Sequence, residues 1–170
     1  HDWNDVVVKS SADHGNSWSN LTVVHSLHHR GYPYIIGNPS PIVAADGTLF
    51  VFMTHGDHSV LVSTSSDGVR WTSPRDITKN TSVTKWSTVF TGPSGAAFVS
   101  ANSSDLQRTR LLVCCAHTGG THTFYSDDLG ATFHPGISTN YGAECEVAQL
   151  SPGTLVMSTR DHHRKTVAPY

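Results

Sequence analysis

The stretch "SADHGNSW", residues 11–18, reads Ser, a spacer, Asp, a spacer, Gly, and closes on an aromatic residue. Two further stretches repeat it: "SSDGVRW" at 65–71, one residue shorter, and "SDDLGATF" at 126–133. One copy would carry little weight. Three copies in register, their first serines (Ser11, Ser65 and Ser126) 54 and 61 residues apart, mark an internal repeat. The chemistry is that of a turn. The carboxylates of Asp13, Asp67 and Asp128 can each accept bonds from the backbone N–H groups that follow them. Gly15 and Gly130 supply a left-handed backbone that other residues resist. Trp18, Trp71 and Phe133 are then expected to pack each turn onto its sheet. The competing reading, carbohydrate or calcium binding by the three aspartates, is set aside in favour of a structural turn.

Each repeat follows a strand-like run, and such runs fill the chain. They are "DVVVKSS" (5–11), "LTVVHS" (21–26), "PIVAA" (41–45), "TLFVFMT" (48–54), "SVLVSTSS" (59–66), "GAAFVS" (95–100), "RLLVCCAH" (110–117), "THTFYS" (121–126), "EVAQL" (146–150) and "TLVMSTR" (154–160). Most are short, β-branched or alternating, and bounded by Gly, Pro, Asn or Asp. Asp46-Gly47 supplies a hairpin turn, and "SPGTL" at 151–155 a second. No stretch shows a 3.6-residue period with caps, so the fold class is all-β.

Composition narrows the function. The 170 residues suffice for one domain, and 37% are hydrophobic while only 14% are charged. A net charge of −2 with no run of Lys or Arg argues against a nucleic-acid or anionic-membrane surface. No apolar stretch approaches the roughly 20 residues that a membrane-spanning helix needs. The sequence opens on His1 without an initiator Met or signal-peptide pattern, and reads as a fragment or a processed product. Adjacent Cys114 and Cys115 point to opposite faces of a strand, so the three cysteines, with Cys145, read as small buried residues and not as a disulfide framework. Sequons at Asn20, Asn80 and Asn102 matter only if the chain enters a secretory pathway, and localisation stays open. His25, His28, His29, His55, His58, His162 and His163 form no zinc spacing and read as surface or loop residues.

The three repeats resemble the Asp boxes (S-x-D-x-G-x-T-W) of the sialidase, or neuraminidase, family. That resemblance implies a six-bladed β-propeller in which the boxes close hairpins of successive blades. At about 60 residues per box, residues 1–170 make about three blades of a sialidase catalytic propeller, a partial ring in the four-to-eight-blade range. A second match is "ECEVAQLSPGTLVMSTR" (144–160), which is similar to the family segment E-C-Q-V-x-E-L, a turn, then T-L-x-x-N-x-R. By position Glu144 is the glutamate that partners the catalytic tyrosine. Arg160 belongs to the arginine cluster that grips the substrate carboxylate. Glu146 stands where the family has Gln. A plain ion pair between Glu144 and Arg160 near a strand end is the reading without the resemblance.

The chemistry explains the residue types. Sialic acid carries a carboxylate on its anomeric carbon, so an anionic nucleophile would approach against charge, and sialidases use Tyr instead. A phenol with a pKa near 10 needs a base beside it, the role implied for Glu144. Arg160 suits a carboxylate through its planar fork. Ahead of the first repeat, Asp2 is implied as the acid/base that protonates the leaving oxygen and then activates water, while Asp5 begins the strand. Asn38, before Pro39, falls where the family presents a hydrogen-bonding residue to the sugar, or else simply forms a turn. His117 falls near the position that faces the glycerol tail of the sugar. "WSTVFTGPSGAAFV" (86–99) resembles a further family segment, with Ser94 in place of a Gly and Ala97 in place of an Ile.

The implied function is an exo-α-sialidase that cleaves terminal sialic acid from glycoproteins, glycolipids or oligosaccharides with retention, without metal or cofactor. The nucleophilic Tyr and two further arginines are expected outside residues 1–170, which alone are expected to be inactive. The alternatives are a trans-sialidase and a non-catalytic propeller that binds sialoglycans or proteins.

Overall fold

The computed structural model describes residues 4–27, 35–56, 58–81, 89–100 and 109–160; over 89–100 it describes the backbone and the side chain of Thr91. The described elements are β1 (Val6–Val8), β2 (Thr22–His25), β3 (Ile36–Val43), β4 (Leu49–His55), β5 (Ser59–Ser65), β6 (Arg75–Asp76), α1 (Thr78–Thr81), β7 (Val89–Ser100), β8 (Thr109–His117), β9 (Gly120–Ser126), β10 (His134–Ser138), β11 (Cys145–Ser151) and β12 (Thr154–Thr159). All strand pairings are antiparallel.

Two sheets are complete four-stranded meanders, β3-β4-β5-β6 and β7-β8-β9-β10, and two are pairs, β1-β2 and β11-β12. In both meanders the Asp box joins the third strand to the fourth. The first box joins β1 to β2, so that pair corresponds to third and fourth strands. The pair β11-β12, joined by a Ser-Pro-Gly turn, precedes any box and corresponds to first and second strands. The first strands of successive sheets lie side by side, β3 against β7 and β7 against β11, which is a propeller-like order.

The strands that the sequence marks most strongly are apolar on both faces, because each sheet is covered on both sides. On β4, Phe50 and Phe52 face the third sheet and Val51 and Met53 the first. On β8, Leu111, Val113 and Cys115 face the second sheet, while Leu112 and Cys114 face β11. The largest contact is aromatic: Phe52 meets Phe124 and Phe133 edge-to-face, with ring centroids 5.5 and 5.7 Å away.

The all-β fold class holds, one single-turn helix aside, while two strands and the cysteine pairing need correction. The sequence pattern does not reveal β6 and β10, the polar outer strands, which are exposed along their length and show no buried face to alternate against. A one-turn helix, α1, interrupts the all-β pattern; Asp76 caps it by accepting bonds from the N–H and hydroxyl of Thr78 at 2.9 and 2.6 Å. Cys114 and Cys145 are joined in a disulfide, and only Cys115 is a free buried thiol. The alternation that separates Cys114 from Cys115 is correct, but it sends Cys114 toward the next sheet, where β11 presents Cys145 inward with a Cα–Cα distance of 5.9 Å.

The Asp boxes form the turns expected of them. In the first, Ser11 Oγ accepts from the Gly15 N–H at 2.8 Å and donates to Asp13 Oδ1 at 2.7 Å. The other end of the turn is held by Asp13, which accepts from the N–H and hydroxyl of Ser17 at 2.9 and 2.6 Å. Ser126, Asp128, Gly130 and Thr132 repeat the same bonds. The shorter middle box keeps them with Gly68 in place of the fifth residue, and Asp67 accepts from the N–H groups of Val69 and Arg70, both at 2.8 Å. Bonds from Ser17 and then Ser11 pull the Asp13 carboxyl down to about 2. At Asp128 slight burial works the other way, yet Thr132 and Ser126 still bring it to about 2. The closing aromatics differ among themselves. Phe133 is buried in the aromatic cluster, and Trp71 packs partly buried against the first two sheets. Trp18 is 60% exposed and rests over its own Gly15, because the described residues give it no neighbouring sheet.

The third box is also bolted to the second sheet. Arg75 of β6 donates to the carbonyls of Gly130 and Ala131 and stacks over Phe133, its guanidinium 5.4 Å from the ring centroid. A Cβ at Gly130 would come within 2.5 Å of Phe50 Cε1, and φ there is +83°. Gly47 has the same backbone sign with open space around it. Gly130→Ala is therefore expected to cost about 2–4 kcal/mol by adding overpacking to backbone strain, and Gly47→Ala only about 1 kcal/mol. Urea unfolding of both variants measures the difference.

Candidate functional site

Sheet topology assigns the expected site residues among the described ones to one rim. In a meander, the start of the first strand and the end of the second share a rim, and the end of the third strand lies at the opposite one. Every Asp box therefore lies on one rim. Asn38, early in β3, His117 at the end of β8, Glu144 just before β11 and Arg160 just after β12 lie on the other.

At that second rim Glu144 and Arg160 stand directly across the β11–β12 ladder. The Arg160 N–H donates to the Glu144 carbonyl at 2.8 Å, and Arg160 Nη1 meets Glu144 Oε2 at 2.7 Å. Register makes this pairing. Cys145 faces Thr159 and Glu146 faces Ser158, so the next step outward sets residue 144 against residue 160. The Cys145 and Val147 side chains turn into the interface with β8, which leaves both glutamates on the opposite face. Residues 144–146 of this edge, with Ser158, Thr159 and Arg160, border an open cavity of about 300 Å³. The pair is accessible, with side-chain exposures of 55% for Arg160 and 40% for Glu144. An exposed pair adds little stability. Chemically, the cavity offers a guanidinium fork beside a carboxylate that accepts hydrogen bonds.

The other expected residues divide. Asp2 lies outside the described residues, as do His28, His29, His162, His163 and Asn102. Asn38 takes φ +51° at a break in the β3–β4 register, between Gly37 and Ser40. Its carbonyl accepts the Thr91 hydroxyl at 2.5 Å, tying β3 to β7, and its side chain is exposed. The first strand β7 has a matching register break between Thr91 and Ala96, so the first strands of two neighbouring sheets both kink at this rim. His117 is only 9% exposed. Its Nδ1–H donates to the Thr118 carbonyl at 3.0 Å and its Nε2 accepts from the Ser138 hydroxyl at 3.1 Å, so its observed bonds tie β8 to β10.

Sequence reasoning passed over His122, which is 1% exposed and lies against the His117 ring at 5.4 Å. Its Nε2–H donates to the Thr81 carbonyl at 3.0 Å. It also overlooked Ser158 and set Glu146 aside, although both border the cavity. The signal for them was available in the alternation of β11 and the length of the turn, which together fix the ladder register.

The family model described as a BNR repeat-like domain matches residues 2–169. The chain belongs to that family. BNR repeat-like domains occur in sialidases and related proteins, and the family includes glycoside hydrolases. No curated protein matches the chain in sequence. Among the described residues of this BNR repeat-like domain, no group of His, Cys, Asp and Glu is arranged to hold a metal ion, and no helix is long and apolar enough to cross a membrane.

Burial, and then the neighbouring His117, push the His122 imidazole down to about 3. The unfolded chain binds this proton near pH 6.5 and the folded chain does not until about pH 3. Stability should therefore fall as the pH drops through that window, by about 1.4 kcal/mol per unit from this one group. His122→Gln, which keeps a donor for Thr81, is expected to flatten the slope of unfolding free energy between pH 6 and 4 in chemical-denaturation series. An unchanged slope would show that another group governs it.

Proposed function

We propose that this BNR repeat-like domain is part of a sialidase-type glycoside hydrolase that removes terminal sialic acid from glycoconjugates. The observation that carries the reading is the Glu144–Arg160 pair, set across one ladder at an open rim cavity. Arg160 supplies the planar donor fork that a substrate carboxylate requires. Glu144, 2.7 Å from it, supplies the base that a neutral tyrosine nucleophile needs. Substrate binding exchanges partners: the sugar carboxylate takes donors on Arg160, and the released Glu144 carboxylate turns to the phenol. Asp2 in this reading is the acid/base, Asn38 a hydrogen-bonding group at the sugar, and the tyrosine and further arginines come from other parts of a six-bladed ring.

The test is made on the full-length protein with a fluorogenic sialoside. Glu144→Gln is expected to lower kcat by about a hundred- to ten-thousand-fold, the range for loss of a positioned base. Arg160→Lys is expected to raise KM about tenfold or more by replacing a bidentate fork with a point charge. Full turnover by Glu144→Gln would remove that residue from the mechanism. Sialic-acid binding without turnover in the wild type would favour a lectin-like propeller, and transfer to an added sugar acceptor would favour a trans-sialidase.

A further inference from the structure

Beside the rim pair lies a feature that neither the repeats nor the proposed chemistry uses. Cys145, the residue next to Glu144, is bonded to Cys114 of β8, 31 residues earlier and in the neighbouring sheet. Apart from this bond, the apolar contact on that side among the described side chains is Leu112 and Val147, with Tyr125 and Met157 partly buried against them. The contrast is with the second and third sheets, which share the large aromatic core. Cys114 is fully buried, Cys145 nearly so, and Met157 Sδ of β12 lies 3.7 Å from Cys114 Sγ. The disulfide is thus the one covalent link between the hairpin that carries both Glu144 and Arg160 and the rest of the described fold, the chain itself aside.

We infer that the Cys114–Cys145 disulfide is a positioning bond for Glu144, and that its reduction loosens the rim and weakens ligand binding there. The ligand part of this inference rests on the sialidase-type reading; the mechanical part does not. Cys145 immediately precedes Glu146 and follows Glu144, so fixing its Cα relative to β8 fixes the start of β11, from which Glu144 reaches Arg160. Once the bond is cut, the hairpin is held by the described side chains Leu112, Val147, Tyr125 and Met157 and by its contact with β7. Loss of register at the first residue of a strand then acts on the outermost pair first, and that pair is 144 with 160.

The redox step balances with a dithiol as reductant. One reductant thiolate attacks a protein sulfur, the S–S bond breaks, and a mixed disulfide forms. The second reductant sulfur displaces the remaining cysteine, leaving an oxidised cyclic disulfide and two protonated protein thiols. The neighbouring Cys115 is no competitor. It points into the opposite core, where burial pushes its thiol above the usual range and keeps it protonated. Because both bonded sulfurs are buried, the reductant reaches them only when the hairpin opens. A ligand that binds the oxidised rim more tightly therefore shifts the thiol–disulfide equilibrium toward the disulfide, by the reciprocity of coupled equilibria.

The experiment compares full-length protein in its oxidised form with protein reduced by dithiothreitol and kept in reductant. Backbone amide exchange is read at Arg160, whose N–H the Glu144 carbonyl holds, and at the β4–β5 pair as reference. Reduction is expected to speed exchange at Arg160 about fivefold or more and to leave β4–β5 unchanged. Equal protection at Arg160 in both forms overturns the inference, and so does a uniform acceleration, which would make the bond a general staple. The second measurement is the Kd for sialic acid, expected to weaken about fivefold or more on reduction, with saturating sialic acid shifting the dithiol–disulfide equilibrium toward the disulfide by a like factor. Unchanged affinity in the reduced form overturns the positioning role. A Cys114→Ala/Cys145→Ala double variant gives the same comparison without reductant; a purely structural bond would lower its Tm and leave its Kd as in the wild type. Failure of the oxidised wild type to bind sialic acid counts against the sialidase-type reading alone, because the exchange comparison needs no sugar.

Discussion

Face-to-face contact between sheets is the constraint from which the rest of the structure follows. A sheet with both faces covered needs apolar residues at odd and even positions alike, and the second strands meet that demand with "LFVFM" and "RLLVCCA". Phe50 and Phe52 look one way and Val51 and Met53 the other, so a single strand serves two cores. This arrangement makes the sheets mutually dependent: the second sheet contributes to the clusters on either side of it. It also explains why the turns must be rigid. A sheet packed on both faces tolerates little displacement at its edges, and the Ser–Asp–Gly turns fix the point at which the chain leaves the third strand for the fourth.

Those turns illustrate how much a polar motif can accomplish within a fold. Each Ser hydroxyl serves as acceptor for a glycine N–H and donor to its Asp, and each Asp then holds the far side of the turn. With these bonds in place, the carboxylate stays ionised to a pH below its ordinary range. Arg75 extends the lock across sheets by gripping the backbone of the third box, so a turn in one sheet is held by the edge strand of another.

The sequence was most informative where one short motif recurs, and least where a residue's meaning depends on a neighbouring sheet. The three boxes and the two-faced strands could be read directly, because both rest on local chemistry or local period. The outer strands β6 and β10 could not, since nothing covers them and no period survives. Cys114 and Cys145 were misread for a related reason: alternation along β8 gives the direction in which Cys114 points but not what it meets. Trp18 and Phe133 hold equivalent places in the repeat, yet of the two only Phe133 has a packed sheet beside it among the described residues. At the rim, the pairing of Glu144 with Arg160 was visible in their spacing across a turn, whereas the engagement of His117 by Thr118 and Ser138 depends on β10, a strand the sequence does not announce.

The Asp boxes and the Glu144–Arg160 pair lie on opposite rims, and this has a practical side. Loops on the box rim carry the turns that hold the sheets, while the other rim carries the register breaks of β3 and β7 and the cavity at Glu144 and Arg160. The chain divides by direction along the strand, with the locked turns at one end and the open cavity at the other. A bulky attachment on the Asp-box side, whether a surface, a carrier or a second protein, would then leave that cavity open to solvent.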